Sequence, residues 1–289
     1  MGLTLIADSG STKTAWRGFA GNEIFLETET GGLNPVYLSE DAIRDEIDKN
    51  LAPFIDPTKV DRLYFFGAGC HSAEMQMHTQ NALSLFFSNS LMHIYSDMEG
   101  AAIGLFGSKS GIACILGTGS NSCLWNGKDI EQSIPALGYI LGDEGSGAWM
   151  GKKIAADYLR KRLPEEISGI LENDFTNDLG FFLKKIYQSE YASRFLASLT
   201  GKINNLTNHP YVLALQYEAI EVFYQNHIAM YKRDGIPLGF VGGLADSMKT
   251  TITNYCKGKG IDNVNIVNNP LDGIQQYLTK ELYPDLMQE

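Results

Sequence analysis

Nowhere does the sequence hold an apolar stretch of about 18 residues, the length a membrane-spanning helix requires. The apolar run Leu3–Ala7 is far shorter than the core of a signal peptide and is cut off by Asp8. Cysteine is scarce. Cys70, Cys114, Cys123 and Cys256 stand apart with no C-x-x-C pair, so neither a disulfide framework nor a zinc site is indicated, and a reducing compartment fits. Basic residues are outnumbered, 23 against 34 acidic, for a net charge of −11. A field of that sign opposes broad contact with nucleic acid or an anionic membrane. The expectation is a cytoplasmic protein with neither as a partner.

Several catalytic signatures are missing as well. No G-x-x-x-x-G-K-[ST] occurs: the nearest run, GSGAWMGKK, has the wrong glycine spacing and puts Lys153 where a hydroxyl must hold Mg²⁺, so there is no P-loop. No G-x-G continues to a third glycine at the Rossmann offset, which removes the main support for hydride chemistry. The histidines at 71, 78, 93, 209 and 227 form no H-E-x-x-H and pair with no cysteine, so surface or core roles are expected and no protein-ligated metal site is read. Serine has no G-x-S-x-G context for hydrolase chemistry.

What is present is a large apolar content, 44% of 289 residues, enough for two domains of ordinary size. The opening reads as a strand LTLIAD, a turn GSTKT, a strand TAWRGFA, a Gly-Asn turn and a strand EIFLETE, a β-meander. A helix is expected over 39–52, with Ser39 as N-cap and Ala42, Ile43, Ile47 and Leu51 at helical spacing. A buried-type strand RLYFFGAG, a helix over 73–89 and a strand HIYSD at 93–97 follow. At residue 111 the pattern restarts with GIACILGTGSNSCLWNGK: strand, glycine-hydroxyl turn, strand, Asn-Gly turn. This predicts a duplicated supersecondary unit, with domains at 1–108 and 109–289, the final helix packing back on the first domain. Residues 145–235 read as mostly helical, and LGFVGGLADS restores a strand running into glycines. No Pro/Ser-rich linker separates the halves, so the cleft between them is the default site.

Two turns carry the chemistry. In IADSGSTKT, Asp8 ends a strand, small residues let backbone N–H groups approach an anion, and Gly10, Ser11, Thr12 and Lys13 add donors. In ILGTGSNS, Gly117, Thr118, Gly119 and Ser120 repeat the device. Each alone also suits an ordinary polar hairpin; one opening each half points to a polyphosphate ligand. In FVGGLADS, Gly242 and Gly243 would let backbone pass close to a flat base, or simply begin a helix. Asp97 is placed to act as a general base or as a helix N-cap. Asp143 and Glu144, between Gly142 and Gly145, suit hydroxyl acceptance or capping, and at most one is expected to face a ligand.

Five motifs in order, IADSGSTKT, YSDMEGAAIG, ILGTGSNS, LGYILGDEGSGAWMG and FVGGLADS, resemble the N-acetylglucosamine kinase branch of the BadF/BadG/BcrA/BcrD ATPase family, within the actin-like, hexokinase-like superfamily. The resemblance runs from about residue 4 to the C-terminal helix. It implies an α/β fold of two actin-like (ribonuclease H-like) ATPase domains, mixed sheets flanked by helices around an interdomain cleft, a homodimer, and ATP with Mg²⁺ as cofactors. It implies that Asp8–Thr12 and Gly117–Ser120 hold phosphates, with Asp8 reaching Mg²⁺ through water, and that Gly242 and Gly243 face adenosine. Asp97 would take the proton of a sugar hydroxyl, with Asn34, Gly142 and Asp143 contacting the sugar. The acceptor would be N-acetylglucosamine or N-acetylmuramic acid. Activator ATPases of 2-hydroxyacyl-CoA dehydratases, and nucleotide-binding sensors, share the scaffold and form the alternative. The chain departs from the sugar-kinase pattern at AGCHS after RLYFFG, where a serine- and glycine-rich turn is usual.

Overall fold

The computed structural model describes residues 2–175, 178–232 and 235–282. Two compact units appear: the described parts of Met1–Lys109, Asn126–Asp129 and Asn269–Glu289 form unit 1, and those of Ser110–Trp125 and Ile130–Asn268 form unit 2.

Unit 1 opens with the meander β1 (Thr4–Ser9), β2 (Lys13–Ala20) and β3 (Glu23–Gly31). It continues with α1 (Glu40–Asn50), β4 (Arg62–Gly67), α2 (Ala73–Ser84), β5 (Leu91–Ser96) and α3 (Asp97–Phe106). The sheet order is β3-β2-β1-β4-β5, with β1, β4 and β5 parallel and the meander antiparallel. Strands buried on both faces read as continuous apolar runs, and β4 behaves so. Its Leu63 and Phe65 join one apolar cluster with Ile43, Ile47 and Leu83, while Tyr64 and Phe66 join a second on the opposite face.

Two boundaries differ from the sequence expectation. The helix expected over 73–89 ends at Ser84, because Phe86 and Phe87 both donate to Leu83 O and Phe87 is wholly buried, anchoring the chain's return. Asp97 does not cap α3. Ser96 does, in a reciprocal capping box with Glu99, which leaves Asp97 as the first helical residue.

Unit 2 repeats the plan with β6 (Gly111–Leu116), β7 (Ser120–Trp125) and β8 (Ile130–Ser133). The helices α4 (Gly138–Leu141), α5 (Gly147–Leu159), α6 (Glu165–Glu172), α7 (Leu179–Tyr187), α8 (Ala192–Ile203) and α9 (Pro210–Asn226) follow. The unit closes with β9 (Leu238–Val241), α10 (Gly243–Ser247), α11 (Lys249–Gly258) and β10 (Val264–Val267). Its sheet order, β10-β9-β6-β7-β8, has the same pairing directions as unit 1. Finally α12 (Leu271–Leu282) returns to unit 1, where Leu271, Ile274 and Leu278 cover the face presented by Ile6, Tyr64 and Phe66. Among the described residues no helix is long and apolar enough to cross a membrane.

Helices meet backbone to backbone in both units. A Cβ on Gly273 would stand 1.8 Å from Gly104 O, where α12 crosses α3, and one on Gly151 would stand 2.0 Å from Leu196 O, where α5 crosses α8. Overpacking of this kind costs ~1–3 kcal/mol. Gly201, on α8, has nothing within 4 Å. In chemical denaturation, Gly151→Ala is expected to lower stability by ~1–3 kcal/mol and Gly201→Ala to raise it by ~0.5–1 kcal/mol through helix propensity. A shared sign would refute the close crossing.

Candidate functional site

In unit 1 the parallel strands end in register, Ser9 beside Gly67 and Gly67 beside Ser96. Residues at and just past these ends therefore collect along one sheet edge, the usual place for ligands in open α/β sheets. The edge brings together the turn after β1, the AGCHS turn after β4 and Asp97 after β5.

Gly10–Thr12 form a three-residue turn closed by Gly10 N–H donating to Lys13 O at 2.9 Å. The turn is tied to the segment after β3. Leu33 N–H donates to the buried Ser9 Oγ (3.1 Å), Ser9 Oγ and Thr14 Oγ1 lie 2.8 Å apart, and Thr14 Oγ1 donates to Gly31 O (3.0 Å). Gly32 N–H donates to Thr12 O (3.0 Å), and Asn34 Nδ2 donates to Ser11 Oγ (3.0 Å). Asn34 is 5% exposed, and its Oδ1 accepts from Val36 N–H at 2.9 Å. That oxygen occupies the space of a side chain at position 69: a Cβ on Gly69, where φ is +86°, would come within 2.3 Å of it. Lys13 turns to an exposed ion pair with Glu29 at 2.6 Å.

Asp8 and Asp97 are half-buried. Desolvation, with the negative charge of Asp97 adding to it, pushes the Asp8 carboxyl up to about 7. Desolvation likewise pushes Asp97 up to about 6, against the lowering effect of its backbone N–H bonds and of nearby His71. Cys70, wholly buried beside Thr79 Oγ1 (3.4 Å), is pushed up to about 11 and stays a neutral thiol.

In unit 2 the three-residue turn Gly117–Gly119 is closed by Gly117 N–H donating to Gly119 O at 3.0 Å. It is tied to the GDEGSG segment. Ser120 Oγ donates to Glu144 O (2.8 Å) and Ser120 N–H to Asp143 Oδ1 (3.3 Å). Gly147 N–H donates to Gly117 O (2.9 Å) and Ala148 N–H to Thr118 O (3.0 Å). Asp143 adopts a left-handed backbone, φ 52°, between Gly142 and Glu144, a conformation Asp tolerates better than most residues. Burial raises its carboxyl, opposed by the Ser120 N–H and by Lys152. Capping of α5 falls to Ser146, whose Oγ accepts from Trp149 N–H at 3.1 Å, so the acidic pair is not spent on the helix start. Gly242, at φ 130°, presses on the end of β6, where a Cβ would stand 2.2 Å from Leu116 O. Gly243 then begins α10.

The structure thus gathers Asp8, Gly10, Ser11, Thr12, Asn34 and Asp97 within unit 1, and Gly117–Ser120, Gly142, Asp143, Gly242 and Gly243 within unit 2. Lys13 is drawn toward Glu29. Sequence reasoning missed Ser9 and Thr14, whose hydroxyls hold the first turn, and Lys152, whose Nζ donates to Tyr139 O at 2.6 Å near the acidic pair. A cavity of about 620 Å³ in unit 2, walled by Leu159, Phe182, Leu183 and Leu196, contains none of the expected residues. Among the described residues no cluster of three or more His, Cys, Asp or Glu could hold a metal ion.

No family model matches the chain, and no curated protein does. Among solved structures, a provisionally assigned N-acetylglucosamine kinase from Porphyromonas gingivalis is 31% identical, covers 96% of this chain and 99% of its own, and superposes with a TM-score of 0.88. A second protein so assigned, from Chromobacterium violaceum, is 18% identical over 96% of this chain and 99% of its own, with a TM-score of 0.68. Component A of the (R)-2-hydroxyglutaryl-CoA dehydratase of Acidaminococcus fermentans is 14% identical over 98% and 97%, with a TM-score of 0.50. The last two show the fold alone.

The raised carboxyls make apo stability depend on pH. A folded-state pKa above the unfolded value means the native state holds the extra proton, so stability is full below about pH 4 and is lost as pH rises through the folded value. For Asp8 that window ends near 7. In EDTA, Asp8→Asn is expected to stabilise the protein more at pH 8 than at pH 5, by on the order of 1–3 kcal/mol in denaturant titrations. An equal effect at both pH values would refute the buried charge.

Proposed function

The chain belongs to the N-acetylglucosamine kinase-like family of actin-like ATPases, and we propose that it transfers the γ-phosphoryl group of ATP to a hydroxyl of an N-acetylated amino sugar, N-acetylglucosamine first and N-acetylmuramic acid second. One observation carries this reading: Asp97, poised near neutrality at about 6, stands with Asp8 at the edge where the first hydroxyl turn lies. A general base works best when its pKa lies near the operating pH.

Asp97 accepts the proton of the attacking sugar hydroxyl as the oxygen approaches phosphorus. Gly10–Thr12 and Gly117–Ser120 are the phosphate turns: Gly10, Gly117 and Ser120 shape them through the bonds described above, and Ser11, Thr12, Thr118 and Gly119 stand at the phosphate oxygens. Gly242 and Gly243 leave room for adenosine. Asp143 and the remaining hydrogen-bonding capacity of Asn34 orient the sugar, with Gly142 giving backbone access. Lys13 reaches phosphate only by leaving Glu29, an exposed pair of little energetic weight. The donor set fits Mg²⁺: Asp8 offers carboxylate oxygens whose charge Lys13 offsets only in part, and the lack of a protein cage among the described residues suits an ion bound through water and nucleotide oxygens. When bound, that ion neutralises charge on the phosphates. A BadF/BadG-type placement, a homodimer and a cytoplasmic location complete the proposal. The motifs support the first two, and four free, buried cysteines the third.

The activator reading has less support, since cysteines 0% exposed are poor cluster ligands. The test is ADP release from Mg²⁺-ATP with glucose, glucosamine, N-acetylglucosamine, N-acetylmannosamine or N-acetylmuramic acid present. Stimulation by N-acetylglucosamine or N-acetylmuramic acid is expected. Hydrolysis indifferent to sugar, together with stoichiometric iron, would transfer the assignment to the activators. In the same assay Asp97→Asn is expected to keep the KM for ATP and lose at least about 100-fold in kcat; unchanged turnover would remove Asp97 as the base.

A further inference from the structure

Behind the GDEG turn lies a buried polar chain that sequence reading had left among core residues. His227, 3% exposed, follows α9 with its ring stacked on Phe223 at 4.6 Å between centroids. Its Nδ1 lies 3.0 Å from Ser122 Oγ, Ser122 Oγ lies 2.7 Å from Tyr231 Oη, and its Nε2 lies 3.6 Å from Glu144 Oε2. Ser122 is wholly buried and Tyr231 nearly so.

The direction of the protons follows from the partners. Burial drives the Tyr231 hydroxyl pKa upward, so it stays protonated, and it accepts from the Ile134 backbone N–H. The order is set from the other end: an ionised carboxylate only accepts, so the Nε2 that faces Glu144 carries the hydrogen, Nδ1 accepts from Ser122 Oγ, and Tyr231 Oη donates to Ser122 Oγ. A neutral imidazole that accepts at Nδ1 carries its hydrogen on Nε2. That hydrogen faces the Glu144 carboxylate. In the reverse order a bare nitrogen lone pair would face a carboxylate, which is unfavourable.

We propose that His227 is a positioning residue for the acceptor sugar: held by Ser122 and Tyr231, its Nε2–H faces the Glu144 carboxylate at 3.6 Å, and this electrostatic contact biases the place of Glu144 and thereby the backbone of the neighbouring Asp143, whose carboxylate meets the sugar. The proposal rests on the kinase reading for the role of Asp143. Glu144 is itself the hinge of the arrangement, its carbonyl held by Ser120 Oγ at 2.8 Å and its carboxylate facing His227 Nε2 at 3.6 Å. Asp143, left-handed between Gly142 and Glu144, accepts from Ser120 N–H at its carboxylate (3.3 Å) and from Ser146 N–H at its carbonyl (3.1 Å), and the placement of Glu144 adds to that hold. Ser122, His227 and Tyr231 approach its neighbour Glu144 from buried positions.

Two isosteric variants of the full chain separate positioning from packing. The amide of glutamine reaches the place of Nε2, and that of asparagine the place of Nδ1. Both changes abolish the stacking on Phe223 alike. His227→Asn is expected to raise the sugar KM at least about tenfold with the ATP KM within about twofold, while His227→Gln stays within about threefold of wild type for both. Amide hydrogen exchange of the ligand-free protein, read over residues 142–148, is expected to quicken in His227→Asn and not in His227→Gln. If the two variants behave alike in exchange, the residue only packs and the proposal falls. If exchange separates them while the wild type phosphorylates no sugar, the positioning stands and the kinase reading falls.

Discussion

Each sheet ends its first strand in a glycine-hydroxyl turn that is hydrogen-bonded sideways to a second segment, and the candidate chemistry hangs on that tie. A turn that takes an anion binds it well only if its shape is already set, because ordering it at the moment of binding would consume affinity. In unit 1 the tie runs through Ser9, Thr14, Gly32 and Asn34; in unit 2 it runs through Ser120, Asp143, Gly147 and Ala148. In both cases the second segment is the one carrying a sugar-contact candidate. The candidate phosphate turn and the candidate sugar contact are therefore tied together within each unit, and an error in one displaces the other. Short hydroxyl-to-backbone bonds are suited to this, since they fix geometry with few rotatable groups.

Charge poses the opposite problem. A chain of net charge −11 that takes a polyanion must avoid presenting further negative charge beside it. Desolvation answers this in part: Asp8, raised to about 7, is about half protonated near neutral pH when nothing is bound, and a cation beside it would displace that proton. On the proposed reading, binding of the Mg²⁺-nucleotide would be coupled to proton release. The basic residue next to the first turn, Lys13, pairs with Glu29 at the surface, and its charge lowers the Asp8 carboxyl only in small part against the desolvation that raises it.

Much of this was legible in the residues. The double meander, the buried strand RLYFFG, the Ser39 cap and the glycines before α10 follow from local pattern, because each is decided within a few residues. The capping of α3 was misjudged because Ser96 and Asp97 both make good caps, and only Glu99, three residues past Ser96, tips the choice. The early end of α2 depends on Phe87 finding a core cavity, which no local signal announces. Lys152 and the Tyr231–Ser122–His227–Glu144 chain escaped for a related reason. Their partners lie tens of residues apart, and a serine, a tyrosine and a histidine so separated carry no spacing that marks them.

The return of α12 to unit 1 has a consequence for how the protein is made. During vectorial synthesis the strands β1–β5 leave the ribosome first, yet the face formed by Ile6, Phe19, Tyr64 and Phe66 is covered by Leu271, Ile274 and Leu278. All of unit 2 is translated in between. For that interval α3 alone packs on this face, through Gly100 against Phe66 and through Ile103, and the part that α12 will cover is exposed, a surface of the kind that chaperones bind and that aggregates when left alone. Unit 2, whose strands and helices lie within one nearly continuous stretch, completes its own core first, and the first-made sheet is the last to be sealed.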